Sequence, residues 1–311
     1  MALLVFETAR VPTQAHAAND LVFSVSQLGR VSQTSYPVLA SGSQPPSEGQ
    51  AGHFPGNQAF DFIRVIGHSP TSEVWLVRSK NNGLLSAVKR SLAEFKSRAD
   101  RDRYLQEVKA AASLPEHPHV VRYFRAWQQE RHFYVQQELC EGGSLAAVLR
   151  SLPPGVQLPE TDIWRLAAEI ADGLAHCHAH GVLHLDVKPG NIFLDAKATA
   201  KLGDFGNAYL CGKGWSLEEG DGAYVAPEML RFDGSAASPA ADIFSFGASL
   251  FEAATGSPPL PGSTAEQCVM PGRSETLHHM LHAMLATKPE ARPSAFEVFQ
   301  YASAARRVRC I

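Results

Sequence analysis

Four polar side chains near the middle of the chain have the types and the spacing that phosphoryl transfer requires. Residues 184–191 read HLDVKPGN and hold Asp186, Lys188 and Asn191, and Asp204 follows in a DFG triplet. One carboxylate can accept the proton of an acceptor hydroxyl, while a second carboxylate and an amide can hold Mg²⁺ against the phosphates of ATP. We therefore predict Asp186 as the catalytic base and Lys188 as the cation that neutralises the transferred group. Asn191 and Asp204 are the predicted Mg²⁺ ligands.

A pair of charged residues lies upstream of these four, in a region where the hydrophobic pattern predicts strands and one helix. Lys89 ends the triplet AVK at the end of a predicted strand, and Glu107 lies within a predicted helix. A lysine at that place reaches the α- and β-phosphates of a nucleotide when a carboxylate fixes its ammonium group. We expect an ion pair between the two side chains. The alternative is an exposed lysine and an exposed helical glutamate without contact.

The elements that position these residues follow from hydrophobic patterning. β-Branched residues cluster between turn signals and predict strands, with the triplet NNG as one hairpin turn; the predicted strands are 62–66, 73–77, 85–89, 120–124 and 133–137. One helix is expected among them, at 99–114. After residue 141 the pattern favours helices, at 145–151, 160–179, 240–255 and 274–286.

The order of these motifs resembles that of the protein kinase superfamily. AVK comes first, HLDVKPGN and DFG follow, and APE at 226–228 comes last. The resemblance implies an α+β, bilobal protein kinase fold, with a small antiparallel β N-lobe that carries one helix and a larger α-helical C-lobe. It also implies ATP and Mg²⁺ as cofactors.

The domain boundaries are predicted from composition and from this resemblance. Residues 1–57 are rich in Ser, Gln, Ala, Gly and Pro, which predicts a disordered or weakly structured extension with a short strand near 21–25. The kinase domain is expected over 58–303, with the N-lobe at 58–140 and the C-lobe at 141–303. Residues 304–311 are a predicted tail.

The kinase resemblance also assigns residues around the nucleotide. Phe193 is expected beneath the adenine ring, with Val74 and Ala87 above it, and Glu138 and Cys140 are expected to offer backbone groups to its edge. The full set of predicted ATP-binding residues is Ile66, Gly67, Val74, Ala87, Lys89, Glu107, Glu138, Cys140 and Phe193.

Further residues of the large lobe have expected roles in positioning the catalytic segment. Glu228 of the APE triplet is expected to pair with Arg292, and Asp242 is expected to brace the backbone of the loop. In the activation segment, the carboxylates of Glu219 and Asp221 are expected to pair with Lys188 or to order the segment without modification. Each of these has an ordinary surface ion pair as its alternative.

The predicted phosphate-covering loop departs from the glycine-rich pattern of kinases. The usual pattern is GxGxxGxV, and residues 67–74 read GHSPTSEV. Ser69 and Ser72 replace two glycines, and Pro70 has no backbone N–H. Because glycines let the backbone approach phosphate closely, these changes predict weaker nucleotide binding or a less mobile loop.

A narrower resemblance rests on Leu185 and on the triplet EGD at 219–221. Most regulated kinases carry arginine where Leu185 stands, and that arginine pairs with a phosphate on the activation segment. HLDVKP together with EGD, VVRYFRAW at 120–127 and QQELC at 136–140 resembles the Wee family of cell-cycle inhibitory kinases, including its Myt branch. The resemblance covers about residues 60–301. It implies phosphorylation of a tyrosine, with the adjacent threonine as a further acceptor, in the glycine loop of a cyclin-dependent kinase, which delays mitotic entry.

Two other functions stay open. A serine/threonine kinase resembling those of translation initiation factor two would share the VRYFxAW type of strand, and the dipeptide after Val187, Lys188-Pro189, is typical of serine/threonine kinases; Leu185 argues against this reading. A non-catalytic pseudokinase that binds partners is favoured by the degenerate glycine loop. It is disfavoured by Lys89, Glu107, Asp186, Asn191 and Asp204.

Composition limits the remaining classes of protein. The chain of 311 residues has 45% hydrophobic residues and a net charge of −3, without a long basic block for nucleic acid or an anionic membrane. Its five cysteines occur singly, as in proteins of reducing compartments. Neither a secretory leader nor a membrane span is predicted. The Wee resemblance implies the nucleus or cytoplasm as the compartment and a cyclin-dependent kinase as the protein substrate, and we expect a monomer.

Overall fold

The computed structural model of the chain describes residues 22–24, 59–210, 222–230, 237–260, 263 and 265–309. It divides into two compact units, Met1–Val108 with Tyr123–Leu139 and Lys109–Arg122 with Cys140–Ile311. The predicted extension over 1–57 lies outside the described residues except for a short strand at Val22–Ser24. Glu219 and Asp221 of the predicted activation segment also lie outside the described residues.

The first unit is built on a six-stranded antiparallel sheet. Its strands, in chain order, are β1 (Val22–Ser24), β2 (Phe60–His68), β3 (Ser72–Ser79), β4 (Leu85–Ser91), β5 (Tyr123–Gln129) and β6 (His132–Gln137). They are arranged in the order β1-β5-β6-β4-β3-β2. Helix α1 (Arg98–Ala112) connects β4 to the later strands. The predicted NNG turn joins β3 to β4, and Gly83 takes a φ of 72° there, which glycine adopts without steric cost.

One face of this sheet carries an aromatic cluster that holds the strands together. Phe60, Val77, Val88, Trp127 and Tyr134 are buried against one another. The rings of Trp127 and Tyr134 stack with centroids 5.2 Å apart. Because alternate residues of a strand point to the same face, this apolar face leaves the opposite face for other side chains.

The fourth strand predicted from the sequence was expected at 120–124, and this position is wrong. The strand β5 begins only at Tyr123. Val120 instead forms an isolated parallel bridge to Leu202, and the N–H of Val121 donates to the Leu202 carbonyl at 2.8 Å. Both valines are buried in the second unit, so tertiary packing overrides the β propensity of this short run.

The second unit is mainly helical. Its helices are α2 (Leu145–Ser151), α3 (Glu160–Ala179), α4 (Pro239–Thr255), α5 (Glu275–Met284) and α6 (Ala295–Arg309). Short strands complete it: β7 (Gly143–Ser144), β8 (Val182–Leu183), β9 (Ile192–Leu194), β10 (Ala200–Leu202) and β11 (Tyr209–Leu210). They form a β10-β9-β7 sheet and a β11-β8 pair. Helix α6 continues through the predicted boundary at 303. The expected α+β fold class is confirmed.

Helix α4 is largely buried in the second unit, and its sequence shows why it can be. Pro239 begins its first turn, and Gly256 ends it with a φ of 88°. Inside the helix, Ser245 and Ser249 satisfy their hydroxyls by donating to the carbonyls of Ala241 and Ser245. The helix therefore buries polar residues without leaving their hydroxyls unpaired. Within the described part of the chain, no helix combines the length and the apolar character that membrane crossing needs.

Helix α3 packs closely against a backbone segment at Gly173, and this contact makes a prediction about stability. A Cβ at Gly173 would lie 2.6 Å from the carbonyl oxygen of His119. Alanine normally stabilises a helix interior relative to glycine. Here we expect Gly173→Ala to lower the free energy of unfolding by about 1–3 kcal/mol, because a backbone atom cannot move aside cheaply. Urea denaturation measures the change.

Gly190 offers the matched control. A Cβ there would meet only the Lys188 side chain, at 4.0 Å. Gly190→Ala should therefore change stability much less than Gly173→Ala. Equal or greater stability of Gly173→Ala relative to the unchanged protein would contradict the steric argument.

Candidate active site

Lys89 and Glu107 form the predicted ion pair in the first unit. Lys89 lies on β4 and Glu107 on α1, and Lys89 Nζ is 3.1 Å from Glu107 Oε2 and 3.2 Å from Oε1. The side chains are only 15% and 5% exposed. A buried charge is costly unless it has a partner, so each residue fixes the position of the other. The ammonium group is thereby held at a defined place.

Tyr123 adds a third member that the sequence analysis did not identify. Its phenol donates to Glu107 Oε1 at 3.1 Å, and both side chains are buried. A buried tyrosine needs a partner for its hydroxyl, and that need is the only signal that could have predicted this contact. Tyr123 therefore helps to orient the carboxylate that holds Lys89.

Several predicted nucleotide-binding residues share one face of the sheet. In the β2–β3–β4 ladder Gly67 is opposite Val74, and Val74 is opposite Lys89. Ala87 lies two residues before Lys89 on the same strand. Directly opposed residues, and alternate residues of one strand, point to the same face. Gly67, Val74, Ala87 and Lys89 are thus brought together, whereas Ile66 lies at a register irregularity of β2 and is exposed.

Two of the remaining predicted adenine contacts lie in the connection after β6, and the third lies on β9. Glu138 follows β6 in the first unit, and Cys140 opens the next segment of the second unit; both are half-buried. Phe193 lies on β9 in the second unit and is also half-buried. It packs close to Gly203, where an added Cβ would lie 3.0 Å from its ring and 2.8 Å from Val121. The glycine before Asp204 is therefore required by close packing.

Asp186, Lys188 and Asn191 converge within the second unit. The Asn191 amide donates at 2.8 Å both to the Asp186 carbonyl and to Asp186 Oδ2. Lys188 Nζ lies 3.1 Å from Asp186 Oδ1. Both carboxylate oxygens of Asp186 are therefore oriented by neighbours of the same segment. The arrangement sets an acceptor for a proton beside a fixed positive charge.

Asp204 stands at the start of a short 3₁₀ turn, Phe205–Asn207, in a strained conformation. Its φ and ψ are 60° and 78°, in the left-handed region that disfavours residues other than glycine. Its side chain accepts from the N–H of Gly206 at 3.3 Å. The Gly203 N–H donates to the Asn191 carbonyl at 2.9 Å, which ties the two predicted metal-binding segments together.

The chemistry of these two side chains fits a magnesium nucleotide better than a metal held by protein alone. Among the described residues, no group of three or more His, Cys, Asp and Glu side chains could hold a metal ion. Asn191 uses its Nδ2 toward Asp186, which leaves the amide oxygen for a cation. Mg²⁺ commonly takes one or two protein oxygens and completes its shell with phosphates and water. Asn191 and Asp204 match that requirement.

Asp242 braces the catalytic segment from below, as the sequence predicts. The carboxylate is fully buried, and it accepts from the backbone N–H of His184 at 2.9 Å and of Leu185 at 2.7 Å. His178 Nε2 lies 2.8 Å from the same group. Leu185 has a φ of 58°, so these hydrogen bonds hold a strained residue immediately before Asp186.

The electrostatics of Asp242 reflect these contacts. Burial by itself acts to raise the pKa of the Asp242 carboxyl, but the hydrogen bond from His178 and the neighbouring His178 and His184 groups outweigh it. Together they hold that pKa below its usual range. A buried carboxylate with several donors stays charged and becomes a rigid anchor.

Two further contacts stabilise this unit, and the second of them, between Glu228 and Arg292, was predicted. His184 is fully buried, its ring centroid lies 5.0 Å from that of Phe205, and its Nε2 lies 3.0 Å from the Gly203 carbonyl. Glu228 pairs with Arg292 through two contacts of 2.6 and 2.8 Å. Both residues of each pair lie in the second unit. Phe205 precedes and Glu228 follows residues 211–221, which lie outside the described part of the chain.

Comparison with known proteins supports a specific family. Residues 60–302 match the protein kinase domain. The chain is 34% identical over 249 residues to a Wee1-like protein kinase of Arabidopsis thaliana, which covers 78% of this chain and 49% of the relative. It is 33% identical over 255 residues to the mitosis inhibitor protein kinase wee1 of Schizosaccharomyces pombe, with 78% and 28% covered.

A third relative carries a more specific name. The membrane-associated tyrosine- and threonine-specific cdc2-inhibitory kinase wee-1.3 of Caenorhabditis elegans is 31% identical over 256 residues, which cover 78% of this chain and 36% of the relative. The chain spans between 28% and 56% of the length of curated relatives such as these.

The Asp242 contacts predict a pH-dependent stability. A folded-state pKa below the unfolded value of about 3.9 means that the stabilisation is complete above about pH 4 and is lost as the pH falls through the folded pKa. At neutral pH, Asp242→Asn should cost about 3 kcal/mol, because buried donors lose a charged acceptor. Its difference from the unchanged protein should narrow as the pH falls below about 4. Urea unfolding at several pH values measures both effects.

Asp61 provides the control for this prediction. It is an exposed partner of the exposed Lys80, so Asp61→Asn removes a carboxylate without burying an unpaired group. Its stability should stay close to that of the unchanged protein. A loss for Asp242→Asn that stays constant down to low pH would refute the charged-anchor argument.

Proposed function

Because the chain belongs to the protein kinase family, as predicted, and groups by sequence with the Wee-type kinases, we propose that it phosphorylates a tyrosine in the glycine loop of a cyclin-dependent kinase. The threonine next to that tyrosine is a second proposed acceptor. The result would be an inhibited cyclin-dependent kinase and delayed mitotic entry, in the nucleus or cytoplasm.

The observation that carries the proposal is that both charged constellations of a kinase are complete. The first unit holds Lys89 against Glu107, and the second unit holds Asp186 against Lys188 and Asn191. A pseudokinase scaffold has no chemical need for either set. Retention of both supports an enzyme that uses ATP and Mg²⁺, as protein kinases generally do.

The proposed mechanism assigns one step to each group. Lys89, fixed by Glu107, would bind the α- and β-phosphates, while Asn191 and Asp204 would hold the magnesium ion that shields the phosphates' charge. Asp186 would orient the acceptor hydroxyl and take its proton as the new O–P bond forms and the bond from the γ-phosphorus to the ADP oxygen breaks, releasing ADP. Lys188 would stabilise the negative charge on the transferred group, since its ammonium is already in place and needs no reorganisation.

The choice of tyrosine rests on similarity and not on the geometry of Asp186. One relative is named as specific for tyrosine and threonine. Leu185 replaces the arginine of most phosphate-switched kinases and fits the same group. Lys188-Pro189 instead favours serine/threonine specificity, so a serine/threonine kinase resembling those of translation initiation factor two is the second candidate.

The direct test is an assay of substrate phosphorylation. We expect incubation with a cyclin-dependent kinase, ATP and Mg²⁺ to give phosphotyrosine in its glycine loop, mapped by mass spectrometry. Asp186→Asn should lower the rate by at least about 10²-fold, because it removes the proton acceptor. Label on serine alone would favour the second candidate, and no label on any acceptor would favour the pseudokinase.

Asp195→Asn is the matched control for that assay. Asp195 accepts from the N–H groups of Lys197 and Thr199 in a turn of the second unit and has no proposed catalytic role. Its activity should equal that of the unchanged protein. A similar loss in both variants would show that Asp186→Asn acts through folding.

Nucleotide binding can be tested separately by thermal denaturation. Mg²⁺–ATP at 100 times its dissociation constant should stabilise the protein by about 2.7 kcal/mol, and the midpoint should rise accordingly. Lys89→Met should lose most of this rise, whereas Lys80→Met, which removes an exposed lysine of the same unit, should keep it. The enzyme proposal fails if millimolar Mg²⁺–ATP leaves the midpoint of the unchanged protein where it is.

A further inference from the structure

The turn that joins β2 to β3 is closed by a serine side chain. Ser69 and Ser72 occupy its ends, and Pro70 and Thr71 its centre. The N–H of Ser72 donates to Ser69 Oγ at 2.9 Å, and the N–H of Thr71 reaches the same oxygen at 3.3 Å. The N–H of Ser69 donates to the Ser72 carbonyl at 2.8 Å. The Ser69 hydroxyl therefore takes over the role of a turn carbonyl.

This arrangement engages every backbone donor of the four-residue turn. Pro70 has no N–H, and the other three N–H groups point to acceptors within the turn. In glycine-rich phosphate loops, successive backbone N–H groups are the atoms that receive phosphate oxygens. Here the N–H groups of Thr71 and Ser72 are already hydrogen-bonded to Ser69 Oγ.

Further contacts hold the capping oxygen of the turn. Ser72 is 4% exposed, and its hydroxyl lies 2.8 Å from that of Ser69, which holds the capping oxygen in place. Pro70 fixes its own φ at the position where turns favour proline. Ser69 itself is exposed, so only its side chain, and not the buried core, has to move when the cap opens.

We propose that the Ser69 hydroxyl competes with the phosphates of the nucleotide for the N–H groups of Thr71 and Ser72, and so sets the affinity for ATP. This inference rests on the proposed function of the same loop. A phosphate oxygen is a stronger acceptor than a hydroxyl, so ATP can displace the cap, but each binding event must break the internal hydrogen bonds first. Ser69 is thus a residue that tunes nucleotide affinity.

The test is Ser69→Ala, which removes the hydroxyl and keeps a Cβ, so that the backbone gains no glycine-like freedom. Calorimetric titration with Mg²⁺–ATP should show a dissociation constant about three- to tenfold lower than in the unchanged protein, the range expected for one net hydrogen bond. Titration with adenosine should show no change, because adenosine has no phosphates to compete with the hydroxyl. A gain for both ligands would indicate general loosening of the loop and would overturn the proposal.

Asn82→Ala is the matched control. Asn82 Oδ1 caps another hairpin turn of the same sheet by accepting from the N–H of Leu84 at 3.1 Å. Its removal loosens a comparable turn away from the phosphate-binding loop and should leave the ATP affinity unchanged. An equal gain in Asn82→Ala and Ser69→Ala would also overturn the proposal.

A measurement without nucleotide separates this inference from the proposed function. Amide solvent exchange of Thr71 and Ser72, followed by NMR, should be faster in Ser69→Ala than in the unchanged protein. If exchange and ATP affinity are both unaltered while the unchanged protein binds ATP, the cap is wrong and the enzyme proposal stands. If exchange is faster but neither protein binds ATP, the cap exists, and its control of nucleotide affinity is refuted together with the enzyme proposal.

Discussion

The catalytic segment depends on one buried carboxylate. Asp242 lies in the first turn of α4 and has no contact with solvent, so it must find hydrogen-bond donors within the protein. The donors it finds are the backbone N–H groups of His184 and Leu185 and the ring of His178. These bonds hold Leu185 in a left-handed conformation. The backbone at the next residue is therefore fixed, and with it the direction in which the Asp186 side chain points. The position of the proposed base is therefore a consequence of the desolvation cost at Asp242.

The first unit uses the same physical rule for a cation. Lys89 is mostly buried, and Glu107 and Tyr123 complete a chain of contacts around it. Each member would be costly alone, since a buried charge or hydroxyl without a partner loses its hydration. In the first unit Glu107 fixes the Lys89 ammonium group directly. In the second unit Asp242 fixes Asp186 indirectly, through the backbone of His184 and Leu185. Both groups are therefore well positioned, although one lies on a strand and the other on a loop.

The residues and their spacing predicted those parts of the site whose partners are close together or follow a regular pattern. The distant contacts of Asp242 and Glu228 were expected only from the resemblance to kinases. Asp186 and Asn191 are near in the chain, and Lys89 ends a strand whose β-branched residues are easy to recognise. Contacts that depend on tertiary packing were harder to predict from the sequence. The valines before Tyr123 have high β propensity, yet they contact β10 and do not belong to β5. A single sequence does not show which strand such a segment pairs with. The hydrogen bonds of Ser69 were not predicted for another reason. Replacement of the glycines predicts weaker nucleotide binding, but the sequence does not show which acceptor the N–H groups of the loop bind.

The degenerate glycine loop favours a pseudokinase, whereas the retained Lys89–Glu107 ion pair favours an enzyme. The energetic cost of each feature helps to weigh the two proposals. A buried ion pair adds little to stability, because its desolvation cost offsets most of the attraction, and well-packed apolar residues often serve a fold equally well or better. A protein that used this fold only as a scaffold would gain nothing by keeping Lys89 and Glu107 at 15% and 5% exposure. The loop changes cost far less: serine for glycine alters a few hydrogen bonds and leaves the sheet face with Val74 and Ala87 unchanged. In the proposed mechanism, the loop adjusts how tightly a nucleotide binds, while the ion pair is required for nucleotide binding.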